Sequence, residues 1–228
     1  MQTLQSTKEW YDTFYEKDNS FGYREWIYRP YLKALFAKAG LKAGLTVLDV
    51  GCGQGFFSRL IKNFGMRVTG IDISNTAVKA ASRDAGATDI RFLVADPNTM
   101  PAEHTFDCLF VRSFSLYNVE DFSRNHDVTD RLMRYLKDGG TFIFAYNTNL
   151  KFTNRCGSWR YHTLKEMREH FASYSKPKCF FTLKFDILIL RRLAFNQVIS
   201  TVNSMLSAVL GIGGDLVCIV RKDFKSNE

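Results

Sequence analysis

The densest chemistry lies in the run Val47-Leu48-Asp49-Val50-Gly51-Cys52-Gly53-Gln54-Gly55, where an apolar stretch enters a turn with three glycines and a helix-like stretch follows from Phe56. Glycines at such a turn lack the Cβ that would keep a ligand away from backbone N–H groups, so a nucleotide-like group can lie on it. Dinucleotide enzymes space these glycines as G-x-G-x-x-G, which would put the third at position 56; Phe56 stands there and the glycine comes one residue early, at Gly55. That departure counts against a nicotinamide or flavin cofactor. Asp72, in Gly70-Ile71-Asp72-Ile73-Ser74, can accept both hydroxyls of a ribose, and Asp96, in Val94-Ala95-Asp96-Pro97, can accept from an exocyclic amine. With Asp49 just ahead of the glycines, the set implies an adenosine without a pyrophosphate. Taken singly, the glycine turn could be a plain strand-to-helix connection and Asp72 the cap of a helix starting near Asn75. Their consistent positions along the chain favour the ligand reading.

A sheet is needed to hold these residues. Short β-branched runs at Thr46–Val50, Arg67–Asp72, Ile90–Val94, Asp107–Arg112 and Gly140–Tyr146 read as strands apolar on both faces, as in a buried parallel sheet. Helical stretches Phe56–Phe64, Asn75–Ala85 and Val128–Leu136 lie between them, and Lys137-Asp138-Gly139-Gly140 breaks the last. Parallel strands joined by crossover helices make an α/β, doubly wound, Rossmann-like fold. Upstream, Ser6 and Glu9 have capping-box spacing for an aromatic helix through Trp10 and Tyr15, and a second helix spans Arg24 to Ala39, with a kink expected at Pro30 and a stop at Gly40. Downstream, the spacing predicts a loop over 147–158, a helix over Thr163–Phe171, a strand over Lys178–Asp186, one or two helices over Ile187–Leu210 and an edge strand over Leu216–Val220.

From Leu41 to Gly140 the chain resembles the class I S-adenosylmethionine-dependent methyltransferases of small-molecule type. The resemblance implies a mostly parallel seven-stranded sheet with an antiparallel edge strand, residues 1–40 forming a helical cap over a methyltransferase domain of residues 41–228. It implies S-adenosylmethionine as cofactor and S-adenosylhomocysteine as product. The methionine half would rest on Asp49, Gly51, Cys52, Gly53 and Gly55, the ribose on Asp72 with Ile73 packing the adenine, and the base beside Asp96 and Pro97. Arg112 to Asn118 would face the substrate, with Arg112 also touching the cofactor. In the family, N-terminal helices close over the cofactor, which makes Tyr11, Tyr15 and Arg29 candidates for its methionyl end; as plain aromatics, Tyr11 and Tyr15 would only pack one helix on the next.

Methyl transfer needs alignment of the acceptor and, for a hydroxyl, removal of a proton. Of the histidines, His162 is best placed by chain order to act as base, with Tyr117 and Asn118 positioning the acceptor; an isolated surface histidine is the commoner case. Amine-directed nucleic-acid enzymes of this family carry a [DNS]-P-P-[FYW] segment where this chain has Ser113-Phe114-Ser115-Leu116-Tyr117-Asn118, and no cysteine here stands beside a proline as in cytosine-C5 enzymes. Nucleic acid is therefore disfavoured. A small-molecule or glycan hydroxyl or amine is expected, phosphorylated or nucleotide-linked, because 31 Lys and Arg against 23 Asp and Glu leave a charge of +8 that favours anionic partners. The alternatives are a quinone or other lipid-like acceptor, reached through transient membrane contact of 187–210, and a non-catalytic S-adenosylmethionine-binding protein.

Five cysteines, odd in number and never in a C-x-x-C pair, predict neither a disulfide framework nor a zinc site, and no other ligand cluster implies a metal. The polar run from Gln2 to Glu9 is unlike a secretory signal, so a cytoplasmic location is expected. Composition is that of a globular chain, 46% hydrophobic and 24% charged over 228 residues, which argues against disorder or a fibrous fold.

Overall fold

Strand runs apolar on both faces need cover on both, and in the computed structural model they receive it. Residues 4–83, 89–101, 106–122, 125–152, 159–183 and 191–223 are described. Seven strands form one sheet: β1 (Thr46–Val50), β2 (Arg67–Asp72), β3 (Arg91–Val94), β4 (Phe106–Arg112), β5 (Leu136–Thr148), β6 (Lys178–Leu183) and β7 (Gly214–Arg221). Their order is β3-β2-β1-β4-β5-β7-β6. The first five run parallel, and β7 pairs antiparallel with both β5 and the outermost β6.

Among the described residues the α-helices are α1 (Leu4–Phe14), α2 (Glu25–Ala39), α3 (Phe56–Lys62), α4 (Asn75–Arg83), α5 (His126–Arg134), α6 (Leu164–Ala172) and α7 (Gln197–Leu210). Alternate strand residues feed two cores. Val47, Phe110, Ile143 and Val217 pack with Leu35 of α2 and Ile61 of α3, while Leu48, Leu109, Phe144 and Leu216 pack with Leu132 of α5 and Phe171 of α6. The path reverses between β1 and β4, and a crevice opens beyond their C-terminal ends, where α/β sheets hold ligands.

Helix α2 runs through Pro30 and ends at Gly40, whose φ of 72° lets Leu41 N reach back to Phe36 O at 2.9 Å. The capping box expected at Ser6 and Glu9 does not form. Helix α1 is already wound at Leu4, so Ser6 lies inside it and Glu9 Oε1 accepts from Gln5 Nε2 instead. A capping box opens α6, where Thr163 Oγ1 accepts from Glu166 N and Glu166 Oε2 accepts from Thr163 N. Strand β5 begins at Leu136, four residues earlier than the sequence suggests. A register shift between Phe106 and Cys108 absorbs the Gly139-Gly140 turn within the strand.

The scattered cysteines gave no sign of a bridge, yet Cys179 and Cys218 are joined. The antiparallel register sets them directly opposite, a relation that spacing along the chain does not carry. Cys52 and Cys108 are free and buried, and Cys156 lies outside the described residues. So do the ends of the expected strand over 178–186 and helix over 75–85, the second half of the loop over 147–158, and residues 187–190. Among the described residues no helix is long and apolar enough to cross a membrane and no group of side chains could hold a metal ion.

Candidate active site

The crevice at the switch point is a cavity of about 590 Å³, within the usual range of small-molecule and cofactor sites. Its floor is the glycine turn. Gly53 has a φ of 53°, and a Cβ there would stand 2.8 Å from Tyr15 Oη, so only glycine lets Tyr15, just past α1, lie so close over the turn. Gly51 and Cys52 also line the cavity, whereas Gly55 does not: its φ of 77° starts α3, and its Cβ would strike Phe92 and Ala81.

Asp72 ends β2 beside this turn. Its Oδ2 accepts from Gly53 N and its Oδ1 from Ser74 N, both at 2.9 Å. A carboxylate has about four lone-pair sites, which leaves acceptor capacity for a ribose hydroxyl beside these donors. Burial raises its pKa against backbone hydrogen bonds from Ser74, Gly53 and Ile73. Ile73, Ala95 and Pro97 supply an apolar slot next to it, suited to a flat base. Asp49, buried at the end of β1, accepts from Ser58 Oγ at 2.5 Å, and burial foremost pushes its pKa up to about 7.

Helix α1 and the turn after it roof the cavity with Tyr11 and Tyr15, whose phenols burial pushes upward. Two side chains fasten the roof. Asp12 Oδ1 accepts from Ser74 Oγ (2.6 Å) and Thr76 N (3.0 Å), adding a cap to the start of α4, and Gln54 in the glycine turn accepts from Ser20 N and donates to Lys17 O. At the β4 end lies Arg112. Its guanidinium sits 5.4 Å from the Tyr28 ring and 5.2 Å from that of Phe57, and its Nη1 is 3.1 Å from Asp215 Oδ2 of β7. Beyond it, Ser113 takes a φ of 48°, an uncommon conformation for serine that turns Phe114 and Ser115 along the cavity wall.

The cavity thus gathers Asp49, Gly51, Cys52, Gly53, Asp72 and Ile73, together with Pro97, Arg112, Tyr11 and Tyr15. Several other candidates stand outside it. Asp96 accepts from Asn98 N in a local turn, and Arg29 is an exposed partner of Glu25. His162 is fully buried behind the wall: its Nε2 donates to Tyr117 O at 3.0 Å, its ring packs on Phe122 and Tyr146, and burial lowers its pKa. Tyr117 Oη bonds Thr129 Oγ1 within the same core, and Asn118 Oδ1 accepts from Arg160 N. Chain order after β4 and β5 suggested these three for the acceptor, but the turn Ser115–Tyr117 folds Tyr117 inward and Asn118 onto the backbone at Arg160. Phe21, Tyr23, Gln54, Phe56 and Phe57 line the cavity without having been singled out for it. The dense aromatics between Phe14 and Phe57 are the signal that could have found four of them.

Residues 48–144 match the family described as methyltransferase domain. The chain is 34% identical over 119 residues to phosphoethanolamine N-methyltransferase 1 of Triticum aestivum, covering 50% of this chain and 23% of that protein. It is 27% identical over 150 residues to malonyl-[acyl-carrier protein] O-methyltransferase of Pectobacterium atrosepticum, covering 66% and 53%. Phosphoethanolamine N-methyltransferase 2 of Haemonchus contortus, solved with S-adenosyl-L-methionine, superposes with a TM-score of 0.67 at 18% identity, covering 95% of this chain and 60% of that one. The chain spans about half the length of several curated relatives it matches. The glycine turn, Asp72 and the base slot all lie within the residues that match the methyltransferase-domain family, and their arrangement fits an S-adenosyl group.

Proposed function

We propose that the chain methylates a small molecule or glycan that carries an anionic group, phosphorylated or nucleotide-linked, at an amine or hydroxyl. The observation that carries this reading is Arg112. It lines the cavity at the end away from the base slot, its Nε has no hydrogen-bond partner, and Asp215 and two aromatic rings fix its position. A guanidinium held this way is oriented before an anion arrives.

S-adenosylmethionine supplies a methyl group on a sulfonium, ready for in-line displacement. The side chains have to align the acceptor and keep water out. Tyr11, Tyr15 and Tyr23 roof the cavity, and their ring faces attract a cation such as the sulfonium or an ammonium. No histidine among the described residues lines the cavity, which favours an amine: once neutral it needs no base before transfer. The likeness to phosphoethanolamine N-methyltransferases supports an amine with a phosphate. The aromatic walls Phe21, Phe56, Phe57 and Phe114 favour a second reading, a flat lipid-like acceptor of quinone type.

Transfer of labelled methyl to matched pairs of amines and alcohols, each with and without a phosphate, and to a quinol tests these readings. Transfer to the phosphorylated member, with an acceptor KM raised at least tenfold by Arg112→Lys, is expected. Equal transfer to the uncharged member contradicts the anionic reading, and preference for the quinol selects the second.

A further inference from the structure

Helix α7 is built inside out. Its buried positions are Ser200, Asn203 and Ser207, which is helical spacing for one face, and all three are polar. They are spent on backbone groups: Ser200 Oγ accepts from Phe181 N of β6, Asn203 Nδ2 donates to Phe181 O, and Ser207 Oγ accepts from Leu150 N. The helix thus serves unpaired groups of the outermost strand, an edge that proteins usually cover.

The opposite face is apolar and open to solvent. Val198 is 71% exposed, Val202 50%, Met205 64% and Val209 69%. These positions recur at intervals of four, three and four, the a/d repeat with which one helix packs along another. With Leu206, Leu210 and Ile212, also exposed, the patch amounts to on the order of 700 Å². That exceeds the few hundred Å² a monomer ordinarily leaves in one patch and approaches the roughly 800 Å² each partner contributes to a standard interface.

We propose that this face binds α7 of a second copy of the chain, the two helices crossing about a two-fold axis. Three features select that occupant. A seam of three valines and one methionine, uncharged throughout, can pack against its own copy, as an isologous contact requires. None of the 14 residues of α7 is charged, so a copy meets no like charge along the helix. A helix that lies on a membrane carries Lys and Arg on its polar face, whereas the polar face of α7 has none and is turned into the fold. The contact also leaves the cavity free, since α7 packs on β6 at the far edge of the sheet from β1 and β2.

Sedimentation velocity of the purified chain across a hundredfold concentration range reads this directly. The expected result is a species of twice the 26.2 kDa chain mass. Met205→Glu, which sets two carboxylates against each other in the seam, is expected to raise the dimer dissociation constant at least tenfold while S-adenosylmethionine affinity stays unchanged. Thr201→Glu, on the flank of the same helix, should leave the dimer intact. A wild-type chain that stays monomeric throughout overturns the proposal. So does a dimer that Met205→Glu leaves unchanged, or a monomer that sediments with phosphatidylserine vesicles.

Discussion

The backbone amide of Gly53 donates a 2.9 Å hydrogen bond to Asp72 Oδ2, which ties the turn after β1 to the end of β2. The carboxylate therefore shapes the floor of the site as well as offering oxygens to a ligand. Asp72→Ala leaves the N–H groups of Gly53 and Ser74 without that acceptor, each worth about 1–3 kcal/mol when buried and unsatisfied. Titration calorimetry should show S-adenosylmethionine affinity falling at least tenfold, and thermal unfolding a lowered midpoint. Wild-type affinity in this variant would contradict the placement of the ribose.

The close approach of Tyr15 to Gly53 gives a paired test. Gly53→Ala puts a Cβ within 2.8 Å of Tyr15 Oη in a left-handed conformation and is expected to lower both stability and cofactor affinity. Tyr15→Phe removes that oxygen, so the double variant should recover part of the loss. Strict additivity would mean that the two residues do not touch in solution.

Asp12 anchors the roof through Ser74 and Thr76. Loss of such a cap costs about 1 kcal/mol, so Asp12→Ala should weaken cofactor binding several-fold, chiefly through faster dissociation. Stopped-flow release of S-adenosylhomocysteine measures it, and an unchanged off-rate would show that α1 does not gate the site.

The sheet and the cofactor half of the site were legible because their signals are local. Five apolar runs, three glycines and the acid at Asp72 each state their role within a few residues. Long-range relations were not legible. The Arg112–Asp215 pair joins residues about a hundred positions apart, the union of Cys179 with Cys218 depends on antiparallel register, and the inward turn of Tyr117 follows from packing on Phe144. His162 was placed by chain order alone, which gives the end of the sheet but not whether a ring faces the cavity or the core behind it.

Asp49 makes cofactor binding depend on pH. Its pKa of about 7 in the free protein lies above the usual 3.8, so near neutrality it still holds much of its proton. The positive sulfonium favours the ionised form, hence binding releases a proton and affinity should rise as pH increases from 6 to 8. Calorimetry in buffers of different ionisation heat reports the proton. Asp49→Asn should abolish its release, and a wild-type affinity flat across this range would contradict the assignment.

The buried histidines make stability depend on pH in the same direction. Burial lowers the pKa of His162, and burial with the stacked His126 ring lowers that of His170 to about 4. Both sit neutral in the fold and protonate more readily when unfolded, so their contribution is full above about pH 6.5 and is lost as pH falls toward 4. The urea midpoint should therefore drop between pH 7.5 and 5, less steeply in His170→Gln. His162→Gln should lower that midpoint and leave S-adenosylmethionine affinity unchanged; a loss of affinity without loss of stability would return His162 to the site.

The central claim is that the crevice at Gly53 and Asp72 holds an S-adenosyl group. Calorimetric titration of the purified chain with S-adenosylmethionine, S-adenosylhomocysteine and NADH side by side tests it most directly. Saturable binding of the first two, weakened by Asp72→Ala and absent for NADH, is the predicted result; binding of NADH alone would contradict the account.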